Sequence, residues 1–176
     1  TYAPSAYQEL AAGAEKAGAD WGNLLGHEQY ELLQQNPSLQ PLHDAYLNSR
    51  EGTSAQLAKE KADALSSIAP LAKSNPAGYR DAANDIAAKN AIAYEQARRD
   101  GKIKDFTGEQ GEAQKAVDGY YEAISKARDR LSGQANYELQ DRLAADYLDK
   151  LSPQMQDKVL REITFAWDPT YREYKE

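Results

Sequence analysis

The chain has 176 residues, a mass of 19.5 kDa, a formal net charge of −7 and no Cys. That length is enough for one well-buried domain. The missing Cys excludes disulfides, thiolate zinc sites and thiol nucleophiles, the acidity argues against a general nucleic-acid binder, and no apolar run approaches a membrane span.

Leu, Ile, Val and Phe together fall below a fifth of the chain, a share that with high charge marks disorder. Here Ala and the 12 Tyr restore the apolar fraction to 41%, and the apolar residues recur at helical spacing. Ala, Gln, Glu and Lys favour helix, and no window alternates with period two. The expected fold is all-α, a helical bundle of about six to eight helices in a single domain over 1–176.

In chain order, residues 1–35 read as one bent helix or two short ones. Pro4 opens the first, with Tyr7, Leu10, Ala11 and Ala14 on one face, and Asp20 caps a second carrying Trp21, Leu24, Leu25, Leu32 and Leu33. Asn36-Pro37 starts the next, striped by Leu39, Leu42, Tyr46 and Leu47. After a turn at Arg50-Glu51-Gly52, Thr53 and Gln56 match a capping box ahead of a helix that Pro70 kinks or ends.

The centre, from Asn75 to Gly133, reads as a long antiparallel helical hairpin around which the rest packs. Asn75 is a good N-cap and Pro76 suits the first helical position. The stripe Tyr79, Ala82, Ala83, Ile86, Asn90, Ala93, Tyr94 and Ala97 follows, and Gly101 stops the helix. Thr107 and Gln110 match a second capping box, and the second arm, striped by Ala113, Ala116, Val117, Tyr120 and Ile124, ends at Gly133. Gly111 and Gly119 mark weak points or close approach by a neighbouring helix. The tyrosines on these stripes are read as core and boundary packing. A helix with Leu139, Leu143, Ala144, Tyr147 and Leu148 comes next, and Ser152-Pro153 opens the last full one, with Met155, Val159, Leu160, Ile163 and Ala166. Asp168-Pro169-Thr-Tyr171 resembles a further helix start, so the chain is expected to be excised from a longer protein, as is also suggested by a first residue, Thr1, that is not Met.

No nucleophile elbow, P-loop or Rossmann glycine pattern occurs, and nothing calls for a cofactor. His27 and Glu31 share a helical face. With His43 on the next helix they form the one alternative site, a two-His, one-carboxylate centre of a helical enzyme or of a ligand- or metal-binding domain. No metal is expected, because neither HExxH nor a Glu-x-x-His pair is present.

The local surprise is the hairpin corner. Arg98, Arg99, Lys102 and Lys104 surround Ile103 and Phe106 in an otherwise acidic chain. Either Ile103 and Phe106 tuck under the turn and leave the charges in solvent, or the corner docks an acidic protein partner, with the apolar pair as anchors and the basic residues steering approach. Trp167 and Tyr171, a helical turn apart, either pin the terminus or form a second aromatic contact patch. The expectation is therefore a non-enzymatic protein–protein interaction domain, binding neither nucleic acid nor membrane. Its Ala- and Gln-rich, Cys-free composition suits an exported bacterial protein, such as an effector serving virulence or an envelope protein.

Overall fold

The computed structural model describes residues 5–127 and 136–167, with side chains described as far as Phe165. Among the described residues there is no strand. The described residues form nine α-helices: α1 (Ala6–Lys16), α2 (Gly26–Gln35), α3 (Gln40–Ser49), α4 (Gly52–Ile68), α5 (Leu71–Ser74), α6 (Pro76–Arg99), α7 (Gly108–Ser125), α8 (Tyr137–Asp149) and α9 (Pro153–Trp167). The count exceeds the expected six to eight because Pro70 does not simply end a helix. It sits between α4 and the single extra turn α5.

Some helix starts are set by local chemistry. The Asn75 side chain accepts the Gly78 N–H at 3.1 Å ahead of α6, and Ser152 Oγ accepts the Met155 N–H at 3.2 Å ahead of α9. At α1 the capping residue is Ser5, whose hydroxyl and the Gln8 amide serve each other's backbone N–H. Pro4, expected to open that helix, lies outside the described residues, as does Gly133, the expected end of the second arm.

Other expected caps are overturned. Asp20 makes no capping bond. Trp21–Asn23 is a 3-10 turn and α2 begins only at Gly26. Thr53 does not cap α4, because Gly52, at a φ of +68°, enters the helix first, with Glu51 as the cap residue. Gln56 donates instead to the Arg50 carbonyl at 3.4 Å. Thr107 occupies the cap position of α7 without a side-chain bond.

The core forms two clusters. Leu10, Ala14, Trp21, Leu33, Leu39, Tyr46 and Ala55 fill the first, among α1 to α4. Ala87, Ala116, Val117, Tyr120, Tyr121, Ile124, Ala144, Val159 and Ile163 fill the second, among α6 to α9. α6 and α7 pack together, α6 packs more extensively on α4, and α7 more extensively on α8. Small residues set these approaches. A Cβ on Gly119 would fall 2.3 Å from the Tyr147 hydroxyl and 2.8 Å from its ring carbon Cζ, so α8 lays a tyrosine directly on α7. Between α4 and α6 the contact is partly polar: Asn90 donates to the Leu57 carbonyl at 3.0 Å and Tyr94 to the Ser54 carbonyl at 3.1 Å. Burial pushes the Tyr94 phenol up to about 12. The halves are joined there and where α2 meets α9.

Candidate functional site

The chain turns from α6 into α7 through residues 100–107. Gly101, at a φ of +74°, provides the left-handed step that ends α6, and the Lys102 N–H closes back on the Ala97 carbonyl at 2.8 Å. Below the turn Arg98 folds inward. Its side chain is 9% exposed, with Nη2 2.9 Å from Asp118 Oδ2 and Nε 3.7 Å from Asp105 Oδ1. The guanidinium lies 5.9 Å from the centre of the half-buried Phe106 ring, within cation–π range. Burial raises the Asp118 carboxyl above the ordinary carboxylate value despite hydrogen bonds from Gln114 and Arg98 and the guanidinium charge.

The base of the corner is tied to the first half of the chain. The Thr107 N–H donates to Asn23 Oδ1 at 2.9 Å. Gln110 Nε2 donates to the Asn23 carbonyl at 2.7 Å and to Glu28 Oε1 at 2.6 Å. Lys158 of α9 donates to Gln110 Oε1. This explains why the capping box fails, since Gln110 serves tertiary partners instead of its own helix start.

The six corner residues therefore separate. Arg98 and Phe106 face inward and Ile103 is half-buried, while Lys102 and Lys104 are exposed. Arg99 is exposed and paired along the helix with Glu95 at 2.5 Å. Of the expected aromatic patch, the Trp167 side chain and Tyr171 lie outside the described residues.

Beside the corner, two adjoining open grooves run along α6 and α7. One, of about 450 Å³, is lined by residues that include Arg98, Arg99, Asp105, Phe106, Glu112 and Lys115. The other, of about 320 Å³, is lined by Ala91, Ile92, Glu95, Arg99, Asp118, Tyr121, Glu122 and Ser125. Ile92 is 62% exposed, and the buried Tyr121 hydroxyl has no hydrogen-bond partner.

The histidines do not converge. Among the described residues no group of three His, Asp or Glu side chains could hold a metal, so the alternative grouping of His27, Glu31 and His43 is not a metal centre. The His43 ring stacks obliquely on Trp21, with centroids 5.4 Å apart. His27 is buried against α9, where Glu162 Oε2 accepts from the His27 N–H at 3.0 Å and contacts Nδ1 at 2.7 Å. Burial alone would raise the Glu162 carboxyl. The His27 side-chain hydrogen bond, the Lys61 charge and the His27 backbone amide outweigh it and hold that carboxyl below its ordinary 4.5. Glu162 thus caps α2 from 135 residues away, its charge at the positive end of the helix. The sequence carries a signal for this: Glu162 interrupts the α9 stripe between Val159 and Ile163, where all three residues are buried.

Gly26 completes the pair. A Cβ there would lie 2.7 Å from Glu162 Oε1, and that carboxylate is pinned by His27. Gly26→Ala is expected to destabilise the fold by about 1–2 kcal/mol despite the better helix propensity of Ala. In a Glu162→Ala background the same change should be neutral or stabilising, and urea denaturation of the four chains checks both signs.

Neither of these two grooves is lined by His27 or Glu162. Comparison of the chain with protein-family models, with curated proteins and with solved structures gives no match.

Proposed function

We propose that this chain is a non-enzymatic protein–protein interaction domain whose contact surface is the corner of an antiparallel α6–α7 hairpin. One observation carries the reading. Lys102, Ile103 and Lys104 stand on a turn fixed from below by Arg98, Asp118 and Phe106 and by the bonds of Thr107 and Gln110 to Asn23. An ordered cationic turn with an apolar centre loses little entropy on docking, and its charge steers an acidic surface towards it. Arg98 and Phe106 then act as supports, with Arg99, Lys102, Ile103 and Lys104 as contacts. An exported bacterial source remains an inference from composition. A ligand or enzyme site at His27, Glu31 and His43 has less support, since His27 serves Glu162 and His43 packs on Trp21.

The test is affinity capture with the wild-type chain and with Ile103→Asp, followed by calorimetry on any purified protein retained. The expected result is a saturable partner whose affinity falls at least tenfold, about 1.4 kcal/mol, in the variant, with unchanged helical content. Equal affinity for both chains refutes the corner as the contact surface.

A further inference from the structure

The corner and the groove on the α6–α7 flank are complementary to one another. The corner offers Lys102 and Lys104 around Ile103, and neither lysine makes an ion pair among the described residues. The smaller groove offers the exposed carboxylate of Glu122, since Glu95 is held by Arg99 and Asp118 by Arg98, with Ile92 exposed beside it. Tyr121 lines this groove, and its buried hydroxyl is unpartnered.

We propose that the partner of the corner is a second copy of this chain, the Lys102–Ile103–Lys104 turn of each protomer seated in the Ile92 groove of the other. This rests on the corner being a contact surface, as argued above. From Ile92 to the end of α6 at Arg99 the helix rises about 10 Å, so corner and groove lie side by side on one flank. Two chains related by a two-fold axis through that flank make each contact twice, the isologous arrangement of most dimers. Ile103 then meets Ile92 and Ala91, and the lysines meet Glu122.

Sedimentation equilibrium of the full chain up to about 500 μM tests this, a range that reaches dissociation constants of hundreds of micromolar. The wild type is expected to move from 19.5 kDa to twice that mass. Ile92→Asp, Ile103→Asp and Glu122→Lys should each weaken the dimer at least tenfold. Ile92 and Glu122 are exposed, so at concentrations where every chain is monomeric those two keep the wild-type melting temperature. Combining Glu122→Lys with Lys102→Glu and Lys104→Glu should restore association by exchanging the charges. An equimolar mixture of Ile92→Asp and Ile103→Asp should associate better than either alone, because one of the two contacts is intact. A wild type that stays monomeric overturns the proposal, as does association indifferent to both isoleucine variants. Open-ended growth overturns the two-fold arrangement. A monomeric wild type that still captures another protein through Ile103 would overturn self-association alone and leave the corner as an interaction surface.

Discussion

Glu162→Ala is expected to lower the stability of this domain by about 3–5 kcal/mol, the usual effect of removing one member of a buried pair. The carboxylate accepts both the backbone N–H and the ring nitrogen of His27, and its loss strands a buried amide at the start of α2. It also removes a negative charge from the positive end of that helix. Because α2 belongs to the first half of the chain and α9 to the second, the damage is to their junction and not to one cluster. Glu162→Gln should cost less, since an amide oxygen still accepts the His27 N–H. In a double-mutant cycle with His27→Ala, the two losses should add to much more than the double variant shows, because the groups share one interaction.

The same carboxylate sets a pH dependence whose sign is fixed. Its folded-state pKa lies below the ordinary 4.5, so below that value the unfolded chain takes up the proton first. The stabilisation is complete above about 4.5 and is lost as pH falls through the lower folded value. Asp118 acts oppositely. Its folded pKa is raised, so what it contributes is present below the ordinary carboxylate value and lost as pH rises through the folded one. Urea denaturation from pH 3 to pH 7 should therefore show a shallower acid loss in Glu162→Ala than in the wild type. Asp118→Asn should remove the opposing component and make the acid loss steeper.

What could be read from the sequence follows the range of the interactions. Asn75 and Ser152 cap as expected because each reaches an N–H three residues on, and no distant group competes. Thr107 and Gln110 carry the same pattern and fail, because Asn23 and Glu28 lie within reach of Gln110 and take its amide. Asp20 fails for a related reason: the helix it was expected to open starts at Gly26, where a carboxylate from α9 provides the cap. The apolar stripes of α6 and α7 predicted helices correctly, since periodicity reports burial whatever the neighbour is. They did not say which helices pack together, and α6 lies more on α4 than on α7. At the candidate site, the charge pattern marked residues 98–106, but not that Arg98 turns inward to Asp118, a partner 20 residues away.

Arg98→Ala should separate an ordered corner from a merely charged one. The Arg98 and Asp118 side chains are 9% and 16% exposed, so solvent screens the pair little, and losing the guanidinium is expected to cost about 3 kcal/mol. Asp118 would keep only the Gln114 amide at 2.8 Å, and its already raised carboxyl should rise further, which carboxyl NMR titration can follow. The Arg98→Met, Asp118→Asn double variant should recover most of the stability, because it removes both charges and leaves no buried ion alone. Neither change touches Lys102, Ile103 or Lys104. If those residues bind only when the turn is held still, Arg98→Ala should weaken the association they mediate while faster amide exchange appears over residues 100–107. The double variant tests which feature of Arg98 matters. Recovery of stability without recovery of binding would trace the effect to the guanidinium over Phe106 and its link to Asp105, the two contacts that Met cannot replace.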